Sequence, residues 1–120
     1  MAHILVVDDH DAVRRTIRQM LEAAGHVVVE ACDGLAALQV LIPEVELIIT
    51  DVIMPEMDGL EMIRNVRQKG PNLPSLVVTG GWGAPSDLVS IAVKLGADHA
   101  ISKAKIPTEL MKTVAQMVRR

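Results

Sequence analysis

Hydrophobic positions along the chain follow two alternating periods. Short apolar runs (Ile4-Leu5-Val6-Val7, Val27 to Ala31, Leu47-Ile48-Ile49, Leu76-Val77-Val78 and His99 to Ser102) are separated by longer stretches with apolar residues three or four apart. A short apolar run bounded by turn residues fits a buried strand, and the wider spacing fits a helix with one apolar stripe. Five such repeats predict an α/β domain built from βα units around a parallel sheet. Strands are expected at Val27 to Ala31, Glu46 to Thr50, Ser75 to Thr79 and His99 to Ser102, after a first strand ending at Val7.

Turn and cap residues punctuate the helices. Asp11 is read as the cap of a first helix carrying Val13, Ile17, Met20 and Leu21, which Gly25 ends. Asp33-Gly34 turns into a short helix of Leu35, Leu38 and Leu41 that Pro43 must stop. Pro55 and Asp58-Gly59 keep the segment after Asp51 in a loop, and a third helix carries Leu60, Ile63 and Val66 as far as Gly70-Pro71. Gly80, Gly81 and Gly83 loosen the next connection. Pro85 or Ser86 then opens a helix with Leu88, Ile91, Ala92 and Leu95, closed by Gly96. Pro107 and Thr108 start a last helix with the stripe Leu110, Val114, Met117 and Val118.

Composition narrows the class. The 120 residues, 50% of them hydrophobic and 22% charged, suit one compact domain, 1–120, with no output domain. Trp82 is the only aromatic of the Phe, Tyr and Trp class, so the core must be built from Leu, Ile, Val, Met and Ala, with the seven Met residues as gap-fillers. A net charge of −3 lacks the basic footprint of a phosphate-neutralising protein, and direct nucleic-acid binding is not expected. No leader-like start and no apolar run near the roughly 20 residues that span a bilayer is found, so a soluble cytoplasmic protein without membrane contact is expected. Cys32 stands alone, which rules out an internal disulfide or thiolate metal cluster; it is expected to be an ordinary, partly buried residue.

The polar residues that end the apolar runs carry the chemistry. Asp8-Asp9 follows the first run and Asp51 the third; Thr79 closes the fourth, and Lys103 follows the fifth. In a parallel sheet these ends share one edge, outside which ligands of open α/β sheets bind. Three carboxylates gathered there repel one another unless a cation enters. With hard oxygens as the candidate ligands, the ion expected is Mg²⁺, for which Mn²⁺ could substitute. A carboxylate can also attack phosphorus, and Asp51 is the best placed to do so, with Lys103 as the neutralising cation and Thr79 as a hydroxyl donor. Each residue taken singly has an ordinary reading as a cap, loop or surface group; their joint spacing overturns it. His3, His10, His26 and His99 are read as structural or solvent-facing, and the glycines at 80, 81 and 83 do not match the dinucleotide fingerprint.

These residues, together with Val6-Val7-Asp8-Asp9, Asp51-Val52-Ile53-Met54-Pro55, Asp58-Gly59 and Thr79-Gly80, resemble response-regulator receiver domains of two-component signalling over essentially the whole chain. The resemblance implies a flavodoxin-like doubly wound sheet of five parallel strands in the order 2-1-3-4-5, with five helices in a three-layer sandwich; the chemotaxis member of this family has that strand order. It also implies that Asp51 accepts a phosphoryl group from a sensor histidine kinase, a histidine phosphotransfer protein or a small acyl phosphate. Asp9, Asp51 and the Ile53 carbonyl would ligate Mg²⁺, with Asp8 acting mostly through a water on the metal. Lys103 would hold one phosphoryl oxygen and Thr79 would swing in to bond another. Such a domain is a signalling module with slow self-dephosphorylation rather than an enzyme with turnover. It acts on an unknown downstream protein as a monomer or phosphorylation-dependent dimer. Arg14 and Arg15 are read as a solvated helix face that could dock the kinase.

The chain departs from the family pattern at several points. Ala100 stands where an aromatic residue usually lies three positions before the lysine, and Ala104 stands where proline usually follows it, the proline coming only at Pro107. The loop before the last helix is therefore expected to differ. Ile53 and Gly81 occupy positions that the family varies to set the phosphoryl lifetime, and Trp82 is read as packing against its own loop. Two alternatives stay open: a phosphate-independent interaction scaffold with a receiver fold, and an aspartyl-phosphate hydrolase. The adjacency of Asp8 and Asp9 and the lack of a cap domain speak against the hydrolase.

Overall fold

Five strands and five helices alternate along the chain in a computed structural model that describes residues 2–52, 54, 57–69, 73–80, 88–94 and 96–118. They are β1 (His3–Val7), α1 (Asp11–Ala23), β2 (Val27–Ala31), α2 (Gly34–Val40), β3 (Val45–Thr50), α3 (Gly59–Lys69), β4 (Ser75–Thr79), α4 (Leu88–Lys94), β5 (His99–Ser102) and α5 (Ile106–Val118). All neighbouring strands pair in parallel, in the order β2-β1-β3-β4-β5. This is the flavodoxin-like arrangement that the resemblance implied. The readings placed on Ile53, Pro55, Gly70, Pro71, Gly81, Trp82, Gly83, Pro85, Ser86 and Leu95 lie outside the described residues.

Strand periodicity divides the core into two faces. Ile4, Val6, Leu47, Ile49, Leu76 and Val78 point one way and pack with Ile17 and Leu21 of α1 and with Leu110, Val114 and Met117 of α5. Leu5, Val7, Ile48 and Val77 point the other way, against Ala37 of α2, Met62, Ile63 and Val66 of α3 and Ala92 of α4. Coverage on both faces is why every residue of β4, and nearly every one of β1 and β3, is buried, and why these strands read as continuous apolar runs instead of alternating ones.

Several local expectations need correction. Asp11 is the first helical residue of α1 and not its cap; His10 occupies the cap position without a side-chain cap bond. The Asp11 carboxylate is engaged instead by the Arg14 guanidinium, 2.7 Å away. The helix does end before Gly25, which adopts φ +90, a conformation open to glycine without steric cost. At α2, Asp33 is a true cap, accepting from the Ala36 N–H at 2.8 Å. Of the expected Leu stripe, Leu38 and Leu41 are partly buried against the core, and Leu35 departs from it. Leu35 is exposed, and the helix presents Gly34 and Ala37 to the interior. A Cβ at Gly34 would lie 2.6 Å from the Met57 carbonyl oxygen, so this contact needs small residues.

β3 begins one residue earlier than expected, at Val45. Asp58 and Gly59, expected in a loop, open α3, with the Asp58 carboxylate accepting from the Glu61 N–H at 2.8 Å. Lys103–Lys105 form a 3₁₀ turn, and α5 begins at Ile106 with Pro107 in its first turn, where a missing N–H costs nothing. Cys32 is exposed, contrary to its expected partial burial. Among the described residues no helix is long and apolar enough to cross a membrane.

Candidate functional site

The ladder of the sheet carries Asp8 and Asp51 to neighbouring points on its C-terminal rim. The Asp8 N–H bonds the Ala31 carbonyl at 3.2 Å and the Asp51 N–H bonds the Val7 carbonyl at 3.1 Å, so each acid is the first residue past its strand. Thr79 is the last residue of β4, and Lys103 is the first past β5. Asp8, Asp51 and Thr79 are buried, and the Lys103 side chain is only 14% exposed.

Each oxygen of Asp51 has a donor. The Lys103 ammonium donates to Oδ2 at 2.7 Å, while the Thr79 hydroxyl at 3.1 Å and the Val52 N–H at 2.6 Å donate to Oδ1. The same ammonium lies 3.3 Å from Asp8 Oδ2, so one cation serves two buried carboxylates. Burial by itself would lower the lysine's pKa. The hydrogen bond and charge of Asp51, aided by Asp8, outweigh it and hold Lys103 above its ordinary value. Asp9 stands apart as the more accessible acid, its side chain 31% exposed.

Three residues that sequence reasoning left outside the site belong to its surroundings. His10, read as structural or solvent-facing, donates its backbone N–H to Asp8 Oδ1 at 2.8 Å. Its Nδ1 lies 3.3 Å from both Asp8 Oδ1 and Asp9 Oδ1. Its position directly after the acidic pair was the available signal. Arg14, read as part of a solvated face, is mostly buried and donates to the Asp8 carbonyl at 2.7 Å while also pairing with Glu30 at 3.1 Å. Burial would lower its pKa, but Asp11 and Glu30 raise it above the ordinary value. Arg15 is exposed, in keeping with the solvated-face reading. Gly59 donates its N–H to the Val52 carbonyl at 2.9 Å, and a Cβ there would collide with the Asp51 carbonyl oxygen. The start of α3 therefore rests directly on the main chain of Asp51.

Among the described residues Lys103 pairs with Asp8 and Asp51 and no Lys or Arg pairs with Asp9, so the rim is short of positive charge. Asp8, Asp9, His10 and Asp51 can each offer a ligand atom within 4.8 Å of the others. This donor set fits a divalent cation, and the carboxylate oxygens suit Mg²⁺. The Ile53 carbonyl, also expected as a ligand, lies outside the described residues.

Comparison with known proteins bears on the same rim. The family model described as "Response regulator receiver domain" matches residues 4–115. The response regulator MprA of Mycobacterium ulcerans is 37% identical over 118 residues, which is 98% of this chain and 50% of that protein. The chain thus spans about half the length of the curated relatives it matches. Among solved structures, a receiver domain protein from Clostridium thermocellum superposes with a TM-score of 0.87 at 26% identity, covering 100% of this chain and 96% of that one. The response regulator TrrA of Thermotoga maritima, described in complex with Mg(2+)-BeF, gives a TM-score of 0.81 at 30% identity over 98% of this chain and 99% of that one. Strand order, the acidic rim and the extent of these matches agree: the chain belongs to the family of response regulator receiver domains, the signalling domains of two-component systems.

Proposed function

We propose that Asp51 is the phosphate acceptor of a two-component pathway, receiving its phosphoryl group from a histidine kinase, a histidine phosphotransfer protein or a small acyl phosphate. The observation that carries this reading is the convergence of Lys103, Thr79 and the Val52 N–H on the two oxygens of one buried carboxylate. In the transfer, an Asp51 oxygen forms a bond to phosphorus while the donor's P–N or acyl P–O bond breaks. The leaving imidazole or carboxylate takes the electron pair. Phosphoryl transfer asks of a protein mainly positioning and neutralisation of charge. Asp8, Asp9 and Asp51 would hold Mg²⁺, with Mn²⁺ as a substitute, and the ion would neutralise charge on the phosphoryl oxygens.

Lys103 keeps its charge because two carboxylates raise its pKa, and it is placed to follow the phosphoryl group once Asp51 is esterified. The Thr79 hydroxyl, now bonded to Asp51 Oδ1, can donate to a phosphoryl oxygen instead. The added charge, roughly −1.5 to −2, would then bias the protein-contact surface toward a second state and a downstream partner. Ala100, half-buried on β5, offers no aromatic ring for that change, so the readout would run through Thr79 and the rim itself.

Intact-mass measurement after incubation with Mg²⁺ and acetyl phosphate tests the proposal. The expected result is a gain of one phosphoryl group that Asp51→Asn abolishes. A gain that persists in Asp51→Asn, or no gain in the wild type, overturns it.

A further inference from the structure

We infer that His10 supplies a nitrogen ligand to the acidic pocket, so that the site takes transition divalent ions such as Ni²⁺ with a selectivity over Mg²⁺ that its carboxylates alone would not give. This rests on the reading that the pocket holds a divalent cation. The imidazole Nδ1 lies 3.3 Å from Asp8 Oδ1 and 3.3 Å from Asp9 Oδ1. Donors about 2.1 Å from a common ion, at angles between a right angle and the tetrahedral value, stand roughly 3.0 to 3.4 Å apart. The imidazole nitrogen therefore already has the spacing of a neighbouring ligand to each carboxylate oxygen, and the four residues of the group can each offer a ligand atom within 4.8 Å of the others.

The backbone that carries the ring is held in place. The His10 backbone N–H donates to Asp8 Oδ1 at 2.8 Å, and the main chain is extended at the cap position of α1, with φ −88 and ψ 106. The side chain is 64% exposed, so an ion can approach the group from solvent.

The ordinary alternative is an ion pair, in which a protonated His10 simply answers the two carboxylates. The two roles predict different selectivities. An ion-paired imidazole opposes every divalent cation alike, because it competes by charge. A ligating imidazole favours ions that accept nitrogen, following the order in which Ni²⁺ lies far above the hard alkaline-earth ions.

The experiment measures Ni²⁺ and Mg²⁺ affinities by calorimetric titration at one fixed pH for wild type, His10→Ala, His99→Ala and Asp9→Asn. In His10→Ala the ratio of Ni²⁺ to Mg²⁺ affinity is expected to fall by about tenfold or more, since loss of even an outer-shell partner of a metal site costs that much. A smaller fall overturns the inference, leaving His10 as a counter-ion. An equal fall in His99→Ala, whose imidazole is exposed on β5 away from the pocket, also overturns it by marking adventitious surface binding. Excess Mg²⁺ is expected to displace the Ni²⁺. Absence of Mg²⁺ binding in the wild type, or Mg²⁺ affinity unaltered in Asp9→Asn, would instead bring down the pocket reading and the inference with it.

Discussion

The two ends of β4 solve the problem of charge in opposite ways. At its start, the Ser75 N–H donates to Asp98 Oδ2 at 2.8 Å, and the Arg67 guanidinium reaches the same oxygen at 2.9 Å. One acid meets one base, and both side chains are at least a third exposed. At its finish, Thr79 faces Asp51 in a buried cluster where one ammonium, Lys103, answers both Asp8 and Asp51, with His10 and Asp9 nearby. The first end is balanced and serves as a clasp between β4 and α3. The second, among the described residues, gathers more acid than base where Asp8 and Asp51 are buried, and a donor set of that kind could hold a cation. Function here is written in what the fold leaves uncompensated.

The largest expected effect breaks the contrast at its charged end. Replacing Lys103→Met strips the cation from two buried carboxylates, and the loss in chelator should be about 3 kcal/mol by urea unfolding, part of it recovered in Mg²⁺. A variant as stable as wild type would contradict the counter-ion role. The pH dependence follows from the raised pKa. Because folding raises it, the stabilisation is complete below the ordinary value of 10.5 and is lost as pH climbs through the folded value, so the difference between wild type and Lys103→Met should shrink only above that point.

At the balanced end, Asp98→Ala should cost about 1 to 2 kcal/mol, chiefly by leaving the buried Ser75 N–H without its acceptor, and should leave Asp51 phosphorylation unchanged. Impaired phosphorylation in that variant would show that the two ends are coupled. The smallest effect has the opposite sign. Asp9→Asn should stabilise the protein in chelator by up to about 1 kcal/mol through relief of repulsion, and the gain should vanish as Mg²⁺ is added. Thermal melts with and without the ion would reveal it.

Most of the frame was legible because strands buried on both faces write themselves as apolar runs. β2, β4 and β5 begin and end where Val27–Ala31, Ser75–Thr79 and His99–Ser102 were expected. The helices were harder, because their buried stripe depends on what they meet. At α2, Leu38 and Leu41 pack against the core as expected, but Leu35 stays outside, and Gly34 is buried where the Met57 carbonyl would meet any Cβ, a close approach that periodicity does not reveal. The convergence of Asp8, Asp51, Thr79 and Lys103 was likewise readable, since each ends or follows a strand of one parallel sheet. His10 and Arg14 were not. Both reach back from α1 toward Asp8, and that return depends on the turn at Asp8 and on Glu30 arriving from β2, a contact sixteen positions away in the chain.

Gly59 has a further consequence for how this domain can vary. Its backbone sits on the Asp51 carbonyl with no room for a single methyl, so Asp51 and helix α3 share a bare, incompressible bearing surface. Main-chain displacement at that acid has no side chain in which to dissipate before it meets the helix. Any adjustment of the linkage must come from residues on either side of the bearing, such as Val52, because the bearing itself admits only hydrogen.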